Sequence, residues 1–113
     1  GEAADALGLH GPRAWALRAR GELALAQGDA RTAANLLLDS AAAAGAVHPL
    51  ERERSRALAG RALAAAGRRP AALAALEQAR GRLAAWGAKR LADQVTRELR
   101  RLGARGGPRR VRS

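Results

Sequence analysis

The chain has 113 residues, a formal net charge of +11 and no cysteine, so it is long enough for one small domain and forms no disulfide. It lacks Phe, Tyr and Met and has two tryptophans. We therefore expect a core of leucine and alanine, which suits close-packed helices better than a sheet. No apolar run reaches the roughly 18 residues of a membrane span, and with the missing cysteines this favours a cytoplasmic location.

The N-terminal end carries a short segment typical of the end of a helix, and similar segments occur twice more along the chain. The letters DALGL at residues 5–9 are similar to AAAAGA at 41–46 and to LAAWGA at 83–88. Since the chain starts at Gly1 and not at Met, we expect it to be part of a longer protein that is cut inside the last helix of an earlier unit.

Glycines and prolines divide the rest into five predicted helices. Asp29 is positioned to cap the second helix. Glu51 and Glu53 are predicted to lie in the first turn of the third, where the macrodipole favours acids, and two residues apart they do not face each other. The predicted ranges are Pro12–Gln27, Ala30–Ala44, Pro49 to Gly67, Pro70–Trp86 and Lys89–Leu102.

Apolar stripes indicate which helix faces are buried. In the fourth helix the spacing of one face predicts a buried stripe that includes Trp86 as a packing residue; its members are Ala72, Leu76, Ala79, Leu83 and Trp86. The fifth helix has an apolar side and a charged side, as expected of a capping helix. Its apolar side is Leu91, Val95, Leu99 and Leu102, and its charged side is Arg90, Asp93, Arg97, Arg100 and Arg101.

An internal repeat appears at an offset of 39 residues. It pairs a small residue in the first helix of each unit, a turn, an alanine and a leucine: Gly21 with Gly60, Gly28 with Gly67, Ala33 with Ala72, and Leu37 with Leu76. This pattern resembles the tetratricopeptide repeat (TPR), although the period of that family is about 34 residues. The family also has aromatic residues in the first helix of each repeat, called helix A, and in the first unit these positions hold Leu17 and Ala24. The small residues let helix backbones approach closely.

The resemblance implies an all-α fold: a right-handed stack of antiparallel helix pairs, a TPR-like solenoid of two repeats plus a C-terminal capping helix. It divides the chain into a helical domain at 1–103 and a basic flexible linker at 104–113. From Leu50 onward the sequence also resembles the last repeats of large LuxR-type transcriptional regulators, in which RGGPRRVRS (105–113) is similar to the linker before a DNA-binding domain. DNA contact would then use that downstream domain.

The TPR resemblance also implies a groove lined by helix-A positions. Here these positions hold Trp15, Arg18, Glu22, Arg54 and Arg61, an aromatic and arginines that would suit an acidic or extended peptide. For Trp15 a second interpretation stands beside this one: it covers the place of the preceding repeat.

No catalytic or cofactor motif is found. The chain lacks a phosphate-binding GxxxxGK[ST] run, and Ser40, Ser55 and Ser113 have no recognisable base. His10 and His48 each precede a helix-opening proline in a predicted loop, without the further ligands of a metal site. We expect no enzyme activity, no cofactor and no metal.

Two classes of function therefore remain. The first is a protein–protein interaction or regulatory scaffold domain of a LuxR-type regulator, whose partner is a protein or peptide, another domain of its own chain, or a second copy bound through the N-terminal half. The alternative is nucleic-acid binding by the basic C-terminal surface, because residues 97–113 hold seven arginines against one glutamate. We expect no membrane partner.

Overall fold

The computed structural model describes residues 10–103, and this part of the chain is all-α. Its five helices, without any strand, are α1 (His10–Ala26), α2 (Ala30–Ala44), α3 (Pro49–Ala65), α4 (Arg69–Ala85) and α5 (Lys89–Arg101). Each helix packs against the next. The expected earlier helix ending at residues 5–9 and the linker at 104–113 lie outside the described residues.

The predicted helix ends are close to the observed ones because local residues set them. Asp29 accepts a hydrogen bond from the Thr32 backbone N–H at 3.3 Å, which confirms the predicted cap of α2. After α1 and α3 the chain turns at Gly28 and Gly67, with φ of 84° and 82°. This left-handed conformation favours glycine because it has no Cβ.

Three local predictions were wrong. Helix α1 begins at His10, so this histidine is not in a loop. Helix α4 ends at Ala85, and Trp86 caps it with its side chain 48% exposed. The apolar stripe therefore stops at Leu83, because the chain leaves the helix before the indole reaches the core. Glu53 is not in the first turn of α3; only Glu51 is.

The contact between α1 and α2 recurs between α3 and α4. A Cβ added to Gly21 would lie 2.6 Å from Cγ of Leu37, and one added to Gly60 would lie 2.6 Å from Cγ of Leu76. Gly21 and Leu37 are equally far in sequence from Asp29, so the two helices run antiparallel. The 39-residue offset found in the sequence is thus reproduced by the same backbone-to-leucine contact.

Alanine dominates the core, as composition predicts. Of the 17 buried hydrophobic residues, 11 are alanine. The predicted contact positions Ala33, Leu37, Ala72 and Leu76 are all fully buried. One apolar cluster joins α1 to α4 and a second joins α3, α4 and α5. Because a buried leucine contributes about 1.5–3 kcal/mol and an alanine much less, stability depends on many close helix contacts.

Two sets of buried polar side chains join the helices: a pair of serines, Ser40 and Ser55, and the carboxylate of Glu53. Ser40 on α2 donates to the Ala14 carbonyl on α1 at 2.6 Å, and its hydroxyl lies 2.8 Å from that of Ser55 on α3. Both serines are buried. Satisfied by each other and by the backbone, these hydroxyls hold α1, α2 and α3 in register.

Glu53 is the second buried group, and its carboxylate is fully buried. It accepts from Arg52 at 2.7 Å and from Arg56 at 2.9 Å on its own helix, and from Arg82 of α4 at 3.2 Å. Three guanidinium groups thus surround one carboxylate, and Arg82 makes the contact a link between α3 and α4.

Candidate functional site

A groove of about 430 Å³ opens on the side of the molecule formed by alternate helices. Helices α1, α3 and α5 supply its walls, and α4 reaches it through Leu83 alone. The polar lining residues are Arg18, Glu22, Arg54, Arg61, Gln94, Arg97, Glu98 and Arg101, and the apolar ones are Ala57, Leu58, Leu83, Leu91 and Val95. Five arginines against two glutamates make the groove basic.

Four of the five residues named from the sequence line this groove: Arg18, Glu22, Arg54 and Arg61. The structure brings them together from α1 and α3. It does not place the fifth, Trp15, among the lining residues. The Trp15 ring lies beside His48, with centroids 6.1 Å apart, and is 46% exposed. Trp15 therefore sits outside the groove, against the connection between α2 and α3.

Two arginines share Glu51 at one end of the groove. Arg18 donates a hydrogen bond to Glu51 across the α1–α3 boundary, while Arg54 lies 3.6 Å from the other carboxylate oxygen. We call these three residues the first arginine cluster. Burial raises the pKa of Glu51, but the hydrogen bond from Arg18, the charges of Arg18 and Arg54 and the Trp15 indole outweigh it and hold the pKa below its ordinary value of 4.5.

Two more arginines share Glu98 at the other end. Arg101 of α5 is 3.0 Å from Glu98 on the same helix, and Arg61 of α3 is 3.8 Å from it. We call Arg61, Glu98 and Arg101 the second arginine cluster. Like the first, it connects two alternate helices and holds two guanidinium groups around one carboxylate, so each cluster carries one uncompensated positive charge.

The floor between the two clusters is apolar. Ala57 and Leu58 come from α3 and are partly buried, and Leu91 of α5 faces them across the groove. Val95 and Leu83 belong to the core and reach the groove from below. An apolar floor between charged ends is the usual composition of a peptide-binding site, where burial gives affinity and charges fix orientation.

Sequence reasoning missed the wall supplied by α5. Arg97 and Arg101 were interpreted as part of the charged side of a capping helix and Gln94 and Glu98 were assigned to neither side, yet all four line the groove. A signal was present: these positions recur at spacings of three and four, which puts them on one face of a helix. What the sequence lacked was the partner helix, because only the packing of α5 beside α3 turns that face inward.

The remaining polar groups of interest have structural roles or lie elsewhere. The Ser40 and Ser55 hydroxyls and the Glu53 carboxylate are buried and occupied by hydrogen bonds. Within residues 10–103 no three His, Cys, Asp or Glu side chains gather as a metal site would require. In the same part of the chain, no helix is both long and apolar enough to cross a bilayer.

No protein-family model matches the chain, and the comparisons with curated proteins and with solved structures return no match.

Proposed function

We propose that this chain is a non-catalytic protein-interaction domain that binds a segment of a partner, or of another domain of its own protein, in the groove of α1, α3 and α5. The observation that carries the proposal is the groove itself: residues from three alternate helices form one basic cavity with an apolar floor. Its volume of about 430 Å³ is in the range of ligand-binding clefts.

The same proposal includes the finer architecture. The repeated Gly21–Leu37 and Gly60–Leu76 contacts support two TPR-like helix pairs followed by a capping helix, and the proposed right-handed sense of the stack comes from the TPR resemblance. In such a stack every second helix lines one face, and the groove is lined by every second helix. The LuxR-type resemblance from Leu50 onward leads us to expect a regulatory scaffold in a cytoplasmic transcriptional regulator.

The competing function is nucleic-acid binding by the basic C-terminal surface. Arg97, Arg100 and Arg101 on α5 are exposed and supply the positive charge for it. Two observations favour a peptide ligand. None of the residues that line the groove is aromatic, so nucleic-acid bases have no side chain to stack on there. In addition, Arg101 is already paired with Glu98. Phosphate contacts would also make binding fall steeply with salt, which an oligonucleotide titration at two salt concentrations measures.

A blocked groove tests the proposal. A random peptide library is selected on the immobilised chain, and the peptides are then measured against Gln94→Trp, which fills the groove from the exposed side of α5. The matched control is Gln78→Trp, the same exposed substitution on α4 outside the groove. We expect affinity to fall about tenfold or more for Gln94→Trp alone. Equal effects of the two variants, or no selectable peptide, would refute the proposal.

A further inference from the structure

The two arginine clusters differ internally, and the difference is the same in both. Arg18 and Arg101 bind their glutamates closely. Arg54 and Arg61 approach the same glutamates at only 3.6 and 3.8 Å, which is too long for a hydrogen bond. Arg54 and Arg61 are also about half exposed, at 46% and 48%. Each cluster therefore offers one guanidinium group that makes no hydrogen bond to its glutamate and can donate to a ligand in the groove.

Both open arginines are on α3, which fixes their separation. They are seven residues apart, two helical turns, so their backbones are about 10 Å apart along the helix axis at a rise of 1.5 Å per residue. Ala57 and Leu58 lie between them and form the floor. The groove thus presents two cationic positions about 10 Å apart with an apolar surface in the middle.

That spacing matches a short extended segment. A segment in the extended polyproline II conformation rises about 3.1 Å per residue with three residues per turn, so side chains three residues apart lie on one face of it, about 9 Å apart. A helix needs seven residues for the same span. The extended segment therefore reaches both arginines with the fewest residues.

We infer that the ligand of the groove is an extended acidic peptide segment with two carboxylate side chains three residues apart and an apolar side chain between them. One carboxylate binds Arg54, the other binds Arg61, and the apolar side chain contacts Ala57 and Leu58. Carboxylates suit these positions because a guanidinium binds them through two parallel hydrogen bonds. This inference rests on the proposed function and specifies the ligand of that groove.

Fluorescein-labelled synthetic peptides with a C-terminal amide test the spacing. The spaced peptide is Gly-Ser-Glu-Pro-Leu-Glu-Ser-Gly; its controls are the same peptide with both Glu replaced by Gln, and an isomer with the two Glu adjacent. Fluorescence anisotropy at about 50 mM salt, where ion pairs are least screened, should show the spaced peptide binding about tenfold tighter than either control. Equal binding of the three peptides would overturn the inference.

Matched arginine variants locate the contact. Arg54→Gln and Arg61→Gln should each weaken the spaced peptide about tenfold, whereas Arg31→Gln on α2 and Arg90→Gln on α5 remove the same charge outside the groove and should change affinity less than about twofold. Circular dichroism of each variant verifies folding. Equal losses for all four would indicate a net-charge effect and overturn the inference, as would tighter binding of a short oligothymidine through Arg54 and Arg61.

The two proposals fail differently. If library peptides are lost with Gln94→Trp while the spaced peptide does not bind, the groove binds protein segments but the acidic spacing is wrong. If neither kind of peptide depends on groove residues, both proposals are wrong.

Discussion

At the scale of single residues, the fully buried carboxylate of Glu53 is the most consequential group. Its charge is held by three arginines, of which only Arg82 comes from another helix. Taking a carboxylate out of water is expensive unless several donors satisfy it. Glu53 meets this condition, so its partners, and not its position along α3, explain why an acid is tolerated in the α3–α4 contact.

Glu53→Gln should therefore destabilise the fold by about 3 kcal/mol, because it leaves guanidinium groups facing one another without their counter-charge. Urea denaturation measures the loss. The control is Glu77→Gln, which breaks an exposed pair with Arg80 and should change the free energy of unfolding by no more than about 0.5 kcal/mol. A Glu53→Gln midpoint equal to wild type would show that the buried charge contributes nothing net.

Glu51, in contrast, gives a pH dependence. Its folded pKa lies below its ordinary value of 4.5, so its pairing stabilises the fold fully above about pH 4.5. The contribution is lost as the pH falls through the lowered folded pKa, because there the folded state also binds the proton.

The expected result is that Glu51→Gln is less stable than wild type at pH 7, by about 1 kcal/mol for a partly exposed pair, and that the gap closes at strongly acidic pH. Thermal or urea unfolding across the pH range checks it. Asp39→Asn, which removes an exposed carboxylate on α2, serves as the control for the loss of an acid elsewhere. A gap that persists unchanged at low pH would contradict the electrostatic origin.

At the scale of helices, one glycine per helix pair sets how closely two backbones approach. In α3 this is Gly60, where a Cβ would lie 2.6 Å from Leu76, a distance that forces a movement of the core. The leucine fills the space that a side chain on the facing helix would otherwise take. Helix propensity opposes glycine by about 1 kcal/mol relative to alanine, so the contact must outweigh propensity at this position.

Gly60→Ala should destabilise the protein by about 1–3 kcal/mol through overpacking. Gly81→Ala is the matched control within a helix, because nothing lies within 4 Å of its added Cβ. It should stabilise by up to about 1 kcal/mol through helix propensity. Opposite signs in denaturation experiments would support the close helix contact; two changes of the same sign would contradict it.

The last helix shows how an element gains a second role through packing. Its apolar side, with Val95 and Leu99 buried, covers the second core cluster. Arg69 of α4 donates to the Leu102 carbonyl at 2.6 Å and so closes the C-terminal end of α5. Its polar side is not only solvent-facing, because Glu98 and Arg101 complete the groove. Helix α5 therefore covers part of the core and forms a groove wall at once.

At the scale of the whole molecule, exposed apolar side chains occur in both halves. Trp15 and Leu23 are 46% and 59% exposed on α1, and Trp86 is 48% exposed after α4. Few large side chains are buried in this alanine-rich core, so association that covers α1 would add burial. We expect the chain to self-associate through its N-terminal half.

Sedimentation equilibrium tests this expectation with two comparable tryptophans. Trp15→Glu should shift the chain toward monomer, while Trp86→Glu should not. Leu23→Glu is a second variant on α1 for the case that Trp15→Glu perturbs the neighbouring Glu51. A wild type that stays monomeric at high concentration refutes the expectation, and an equal effect of Trp86→Glu moves the interface to the other half.

Within residues 10–103 the number of helices and, to within about two residues, their ends followed from the sequence alone, because helix termini depend on residues close in the chain. Gly28, Gly67 and Pro49 act through their own backbone angles, and Asp29 through a neighbour three residues away. The buried stripe from Ala72 to Leu83 also followed, since periodicity within one helix shows its apolar face. The groove positions Arg18, Glu22, Arg54 and Arg61 followed from the TPR resemblance, because matching the repeat indicates which positions of each helix pair line the groove.

Only the tertiary structure decided what these side chains meet. The burial of Glu53 depends on Arg82 from the next helix, and the wall of Glu98 and Arg101 depends on α5 lying beside α3. Trp86 ended outside the core because α4 stops one residue before it, and Trp15 ended outside the groove because its ring packs beside His48. Contacts between helices join residues distant in sequence, so no local pattern records them, and it is these contacts that create the two arginine clusters.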